Sequence, residues 1–358
     1  MSVSYGGDKI TFDDGTSIAS GLSHFRNRVI NGAMEIDQRN AGSANTPSNT
    51  NYTLDRWQCF LSGGGAYTVL QSNTAPTGFV NSLLVTTTTA DASIAANDYY
   101  ILTHIIEGTN ISDLAWGSAA AKTVTLSFWV RSSLTGTFSG ALNNSAANRS
   151  YPFSYTISSG NTWEYKTVTI PGDTTGTWLT TNGKGIVLRL SLGMGSTYSG
   201  TASAWAGSDF YATTSETAKL IGTLNATWQI TGVQLEVGSY ATTFERRPYG
   251  TELALCQRYF INERLQGYGL SGFCDTTTTA IFYLTFRQTM RGDPSLTAIG
   301  IWEVRRSGVN ASSATIASPQ VTPDGARINA TSSSLTAGQG VGLTAGSGIA
   351  YLQFSAEL

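Results

Sequence analysis

The sequence predicts an all-β protein built from two β-rich units joined by one short helix. Three observations carry this. Apolar residues alternate with a period of two in segment after segment, helical spacing is nearly absent, and Ser/Thr/Gly/Asn-rich stretches separate the apolar runs. The chain has 358 residues, more than a single hydrophobic core usually organises, so two domains are expected.

The clearest strand is Thr123 to Arg131, where Val124, Leu126, Phe128 and Val130 share one face and Thr123, Thr125, Ser127 and Arg131 share the other. Ile186, Leu188, Leu190 and Leu192 repeat the pattern, and Trp163 to Ile170 makes a further strand ending at the turn Pro171-Gly172-Asp173. Between Trp228 and Glu236 the pattern slips. Trp228 and Ile230 lie on one face, Val233 and Leu235 on the other, and a bulge near Thr231-Gly232 would return all four to the core. Ala280, Phe282, Leu284 and Phe286 form a later strand face, and Ala350, Leu352, Phe354 and Ala356 form the last. Thr251 to Asn262 is the one helix expected, with Thr251 as N-cap and Leu253, Cys256 and Phe260 at helical spacing. Glu245 to Gly250, just before it, reads as a connecting turn. The first 25 or so residues hold one strand and a turn from Ile10 to Thr16, too little to bury a core alone. No repeat of 20–50 residues is present, which excludes a solenoid or propeller.

Charged residues are only 12% of the chain and aromatics 11%, with eight Trp and sixteen Tyr. The usual charged share is about 25%. A surface solvated by hydroxyls and amides repels its copies weakly, which favours an assembled protein. Net charge is −2 with no basic cluster, so no nucleic-acid face is expected. Cys59, Cys256 and Cys274 are too few and scattered for a disulfide framework and read as buried thiols of a chain folded in a reducing cytoplasm. No secretory leader and no bilayer-spanning run is expected, hence no membrane insertion.

Catalytic signals are weak. His24 and His104 are the only histidines, with no partner at zinc-ligand spacing and no nucleophile elbow to serve. Leu61-Ser62-Gly63-Gly64-Gly65 lacks the Lys and Ser/Thr of a phosphate loop. Glycoside hydrolysis needs two carboxylates about 5–10 Å apart. Glu35 with Asp37, Asp13 with Asp14 and Asp209 with Glu216 are candidates, yet their spacing does not separate a catalytic pair from solvated acids. A non-enzyme is therefore expected, with no cofactor. The aromatic residues offer another chemistry, because Trp and Tyr rings pack on the C–H faces of sugars as readily as in cores. Trp129 and Trp228 lie on strands and read as structural. Trp178, Tyr198, Trp205 and Tyr211 lie in loop-like sequence and are the candidate glycan contacts, with Tyr99 and Tyr100 weaker.

Two segments then carry a family likeness. Asn27-Arg28-Val29-Ile30-Asn31-Gly32-Ala33-Met34-Glu35-Ile36-Asp37-Gln38-Arg39-Asn40 is followed by Tyr52-Thr53-Leu54-Asp55-Arg56-Trp57. Val233-Gln234-Leu235-Glu236-Val237-Gly238 is followed by Ala241-Thr242-Thr243-Phe244-Glu245-Arg246-Arg247-Pro248 and Leu255-Cys256-Gln257-Arg258-Tyr259-Phe260. Together they resemble bacteriophage and prophage tail fibre (receptor-binding) proteins with a carbohydrate-binding-module-like jelly roll. The resemblance implies a virion-attachment segment at 1–26, a jelly-roll β-sandwich at 27–250, and a smaller β-sandwich at 251–358 as receptor-binding tip. Its loops Arg305 to Ala311 and Thr331 to Val341 would then be exposed. The family setting further implies a homotrimer on the virion, made in the host cytoplasm, docked to tail or baseplate proteins and adhering to host surface polysaccharide. A purely structural fibre, collar or baseplate part is the alternative, and a glycan-degrading tailspike a further one. Structural calcium occurs in related jelly rolls, but no dense Asp/Asn cluster here calls for it.

Overall fold

The computed structural model describes residues 25–265, 269–306, 309–346 and 348–358, together with the backbone of three short N-terminal strands. These are β1 (Val3–Gly6), β2 (Lys9–Phe12) and β3 (Ser17–Ala19), which form an antiparallel three-stranded sheet. Part of the expected attachment segment, including Asp13, Asp14 and His24, lies outside the described residues.

The next unit is a jelly-roll β-sandwich. Its strands are β4 (Asn51–Leu54), β5 (Trp57–Ser62), β6 (Ala66–Ser72), β7 (Ser82–Thr89), β8 (Tyr99–Glu107), β9 (Val124–Ser132), β10 (Gly136–Asn143), β11 (Ser150–Ile157), β12 (Glu164–Ile170), β13 (Lys184–Met194), the short pair β14 (Ser199–Gly200) and β15 (Ala212–Thr213), and β16 (Thr227–Val237). A six-stranded sheet runs in the order β11-β10-β13-β8-β5-β4 and a five-stranded sheet in the order β12-β9-β16-β7-β6. The alternating residues of β9 and β13 meet between the sheets with Trp57, Phe138, Phe153 and Trp228 in one core. The slip in β16 is a bulge: the register with β9 shifts between Thr231 and Gln234, and Gly232 takes φ +63°. Trp228, Ile230, Val233 and Leu235 are all fully buried as a result.

The helix differs from expectation. It is α1 (Tyr249–Gln257), capped by Pro248 rather than Thr251. Proline fixes the backbone at the cap, and the Thr251 N–H donates to its carbonyl at 2.9 Å, inside the first turn. Phe260 is not helical but opens the next strand. The C-terminal unit comprises β17 (Phe260–Leu265), β18 (Leu270–Cys274), β19 (Thr279–Thr285), β20 (Ser295–Ile299), β21 (Trp302–Arg306), β22 (Val309–Thr322), β23 (Gly325–Thr331), β24 (Gly340–Ala345) and β25 (Ala350–Ser355). It has the two layers of a small sandwich, but one layer closes on itself. β17-β25-β20 is an open sheet, whereas β18-β19-β23-β22-β21-β24 forms a closed barrel. Closure comes from β24, which pairs both β18 and β21, and from register shifts that bend β22. Phe282, Val304, Ile328 and Leu343 fill the interior and share a core with Leu352 and Phe354. The stretch Thr331 to Val341, expected to be exposed, is so along most of its length, while buried Ser332 and Leu335 anchor it through N–H groups that donate to the Thr278 and Thr277 carbonyls. Arg305 is exposed but lies within β21 rather than in a loop, and 307–308 lie outside the described residues.

The two family-like segments interlock. The Glu245 carboxylate accepts the N–H groups of Phe25, Arg26 and Asn27 at 2.7–3.1 Å. Asn27 donates to the Val233 carbonyl and accepts from Leu235 N–H. Arg247, whose side chain is only 6% exposed, donates to the Asn27 carbonyl and pairs with Glu245 and Glu252. The Glu252 carboxylate also accepts the Asn31 N–H, and the Asn31 carbonyl accepts the Trp57 indole N–H at 3.0 Å. Glu245 to Gly250 is therefore a clasp, not a simple turn. A second set joins the C-terminal unit to the sandwich: Arg56 pairs with Glu357 and lies over the Tyr259 ring, and Arg258 grips Glu107 at 2.7 and 3.0 Å. All three cysteines are buried and free.

Replacing Arg247 with Met strands Glu245 and Glu252 without their buried counter-charge. Breaking such a pair costs about 3 kcal/mol or more, so chemical denaturation of Arg247→Met is expected to show a loss of that order.

Candidate functional site

The outer face of the six-stranded sheet is partly covered by the long excursion between β13 and β16. Three anchors hold this loop. β14 and β15 pair in parallel, Ala206 bridges Ser150, and the Ser203 N–H donates to the Pro152 carbonyl at 2.8 Å. The loop carries three of the four aromatic residues singled out from the sequence, and its path sorts all four into two clusters.

Tyr198 and Tyr211 come together. Their rings stack at 4.8 Å with an interplanar angle of 3°, and Tyr99 stands edge-on to both at 5.5 and 6.1 Å. All three are half-buried and rest on Ile101, Met194 and Ala212 beside Phe60. A polar rim borders them. The Asp209 carboxylate accepts from Arg189 at 3.1 Å, from Asn143 Nδ2 at 2.9 Å and from the Tyr211 hydroxyl at 2.7 Å. Arg189 lies 4.1 Å from the centre of the Tyr211 ring. Burial pushes the Tyr211 hydroxyl well above its ordinary range, and the bond to Asp209 adds to this. No hydrogen bond among the described residues engages the hydroxyls of Tyr99 or Tyr198. Tyr100, the other weak candidate, points inward instead, where its hydroxyl donates to Asp91 at 2.8 Å.

Trp178 and Trp205 form the second cluster with Trp116, all three edge-to-face at 4.7–5.6 Å. Here the geometry is that of packing. Trp178 is 7% exposed, and its indole N–H donates to Asp173 at 3.1 Å while Arg149 clamps the same carboxylate at 2.5 and 2.8 Å. Trp205 is half-buried against Tyr151 and donates to the Pro171 carbonyl. Sequence reasoning thus selected residues of the right kind, but a loop tryptophan that is half-covered and one that is enclosed read alike. Phe60, Arg189 and Asn143 were not selected. They sit on strands, and only the loop path places them at the tyrosines.

The candidate acids are also occupied. Asp37 accepts the N–H groups of Arg39, Asn40 and Gly42. Glu35, its sequence neighbour, has its carboxyl raised by burial and by Glu252. Glu216 accepts from the Ser139 hydroxyl at 2.8 Å, and its other carboxyl oxygen is buried without a partner. No group of three or more His, Cys, Asp or Glu residues among the described residues could hold a metal ion.

No family model matches the chain, and no curated protein matches it in sequence. Similar solved structures exist. The enzymatically active domain of tailspike protein 4 of bacteriophage CBA120 is 12% identical with a TM-score of 0.34, covering 62% of this chain and 23% of that one. This chain thus spans less than a quarter of the tailspike domain. A family 11 carbohydrate-binding module of Clostridium thermocellum, solved with a β-1,3-1,4-mixed-linked tetrasaccharide, is 10% identical with a TM-score of 0.28 over 56% and 98% of the two chains. The CBM22-1–CBM22-2 tandem domain from Paenibacillus barcinonensis is 9% identical with a TM-score of 0.25 over 89% and 99%. The likeness is one of fold, and the tetrasaccharide belongs to the family 11 module.

Burial pushes the Glu216 carboxyl up to about 7. A carboxyl raised in the folded state contributes stability that is complete below its unfolded value of 4.5 and declines as pH rises to about 7. Denaturation of the protein and of Glu216→Gln across pH 4–8 is expected to differ in this window. The glutamine variant gains relative stability as pH rises and the difference levels off above pH 7.

Proposed function

We propose that the protein is a non-enzymatic adhesin that binds a surface glycan through the Tyr99, Tyr198 and Tyr211 face. The observation that carries this is the pairing of partly exposed aromatic rings, two with unengaged hydroxyls, with a fixed Arg189–Asp209–Asn143 rim. Rings supply apolar area for a sugar's C–H face, and the rim and hydroxyls supply directional bonds to its hydroxyl groups. Trp205 extends the same loop as a secondary contact, whereas enclosed Trp178 supports the wall.

The setting we propose is the tail fibre of a bacteriophage. The two interlocking segments support it through the family they resemble, and the low surface charge fits assembly as a homotrimer. Residues 1–26 then dock to tail or baseplate proteins, and the β units face the host polysaccharide. Each weak site gains from its copies, because multivalent display raises avidity without a new contact. The non-enzymatic reading is supported by the acids themselves. Asp37, Asp209 and Glu216 hold loops and sheets in place, which leaves no evident acid–base pair at the tyrosine face.

Binding of labelled protein to host cells and to their isolated polysaccharide tests the reading. Truncating a central aromatic contact costs about ten-fold or more in affinity. Tyr198→Ala is expected to lose at least that much while its denaturation curve holds. Folded protein that binds neither cells nor polysaccharide points instead to a purely structural fibre or baseplate part. Release of reducing ends from the polysaccharide overturns the non-enzymatic assignment.

A further inference from the structure

The tyrosine face carries its charges in a fixed arrangement, and that arrangement bears on which glycans can occupy it. Arg189 and Asp209 are the charged groups of the rim, with side chains 16% and 22% exposed. The guanidinium donates to Asp209 Oδ1 at 3.1 Å and lies 4.1 Å from the centre of the Tyr211 ring. The same oxygen accepts from Asn143 Nδ2 at 2.9 Å, and Oδ2 accepts from the Tyr211 hydroxyl at 2.7 Å. Donors on β13, β10 and the loop thus hold Asp209 against the guanidinium, and the rim carries no net charge.

The surroundings add no free cation. The loop between β13 and β16 has one lysine, Lys219, and two acids, Asp209 and Glu216. Lys219 is committed to the Met194 carbonyl at 2.7 Å, beneath the rings. On the opposite border the balance is negative. The turn 95–98 joins the loop through Thr197, whose N–H and hydroxyl donate to the Ala96 carbonyl at 3.0 Å and to Asn97 Oδ1 at 2.7 Å. Asp91 and Asp98, both half-buried, lie along this border. Asp91 accepts from the Tyr100 hydroxyl and the Ser93 N–H, and Asp98 from the Ala95 N–H. Neither meets a cation among the described residues.

We infer that the tyrosine face selects uncharged glycans and rejects acidic ones, and that Asp209 sets this preference. The inference rests on the glycan-binding reading of that face and names its class of ligand. A carboxylate brought against the rings gives up water, which is tolerable only beside a free counter-charge. Arg189 does not supply one, because Asp209 already cancels it, and Asp91 and Asp98 repel the newcomer. A sugar hydroxyl loses far less on leaving water, and it meets the hydroxyls of Tyr99 and Tyr198, which both donate and accept. Setting a like charge against the wrong ligand gives specificity without a new contact to the right one. Asp209 therefore has two parts: it anchors the loop, and it masks the guanidinium.

A glycan array tests this with the full chain. It carries glucose, galactose and N-acetylglucosamine oligosaccharides beside glucuronate-, galacturonate- and sialate-bearing counterparts. The protein is expected to bind neutral members about ten-fold or more tightly than acidic ones. That binding holds as salt rises to about 0.5 M, since no ion pair with the ligand is there to be screened. Asp209→Asn keeps an acceptor for Arg189 and Asn143 and a hydrogen-bonding group for Tyr211, so the loop stays anchored while the guanidinium is unmasked. It is expected to raise the acidic-to-neutral ratio about ten-fold or more, and added salt is expected to remove the gain. The parent's own ratio and salt response decide the question without any variant. Acidic members bound as tightly as neutral ones by the parent, or a ratio unchanged in folded Asp209→Asn, overturn the inference and leave the adhesin reading standing. Folded parent that binds neither set overturns the glycan-binding reading and the inference with it.

Discussion

The structure depends on the need to pair charges that the fold removes from water. Arg247, Glu245 and Glu252 are largely withdrawn from water where the entry to the sandwich crosses its exit, and Arg56, fully buried, meets Glu357 where the C-terminal unit joins it. An isolated ion in such a place costs several kcal/mol, so each charge requires the others in position. The requirement is geometric as well as energetic. Arg247 reaches a carbonyl 220 positions away at Asn27, and Arg56 reaches a carboxylate 301 positions away at Glu357. Apolar packing tolerates sliding, whereas these hydrogen-bonded pairs fix register between distant segments. Gly32 shows how close the fit is: a Cβ there would lie 2.2 Å from the Val233 carbonyl oxygen.

This explains why the family-like residues are dominated by polar side chains rather than by core hydrophobes. Asn31 is fully buried and uses both ends of its amide, accepting from Ile36 N–H and donating to the Ile36 and Asp55 carbonyls. Asp55 in turn accepts from the Gln38 backbone and side chain. Burial raises its carboxyl to about 6 despite Arg39 nearby. Neutral hydrogen bonding and ion pairing thus run as one network from the sandwich entry to the final residues.

The same network marks the limit of what the sequence shows. Strands such as Val124–Ser132 are legible because one face is core, so burial writes a period of two into the chain. The bulge in Thr227–Val237 is legible for the same reason, as a break in that period beside a glycine. The clasp leaves no periodic trace. Glu245 to Gly250 is polar and ends in Pro-Tyr-Gly, and only its partners far away in the chain distinguish a buried clasp from an exposed turn. Barrel closure is hidden too, because one strand pairing on both edges looks like any other alternating strand.

The tyrosine face shows the consequence for function. Tyr198, Trp205 and Tyr211 share a loop whose regular structure is a two-residue parallel pair and two single 3-10 turns, Ser196–Tyr198 and Leu220–Gly222, and such loops are ordinarily mobile. Here the loop is tied down from beneath by Asp209 on Asn143 and Arg189, by Glu216 on Ser139, and by Lys219 on the Met194 carbonyl at 2.7 Å. The rings are therefore held in place before any ligand arrives, and ordering them adds little to the cost of association. That matters for the multivalent adhesin proposed above. Avidity multiplies only if every copy presents the same geometry, and the buried polar anchors under the loop supply that uniformity where the exposed rings themselves cannot.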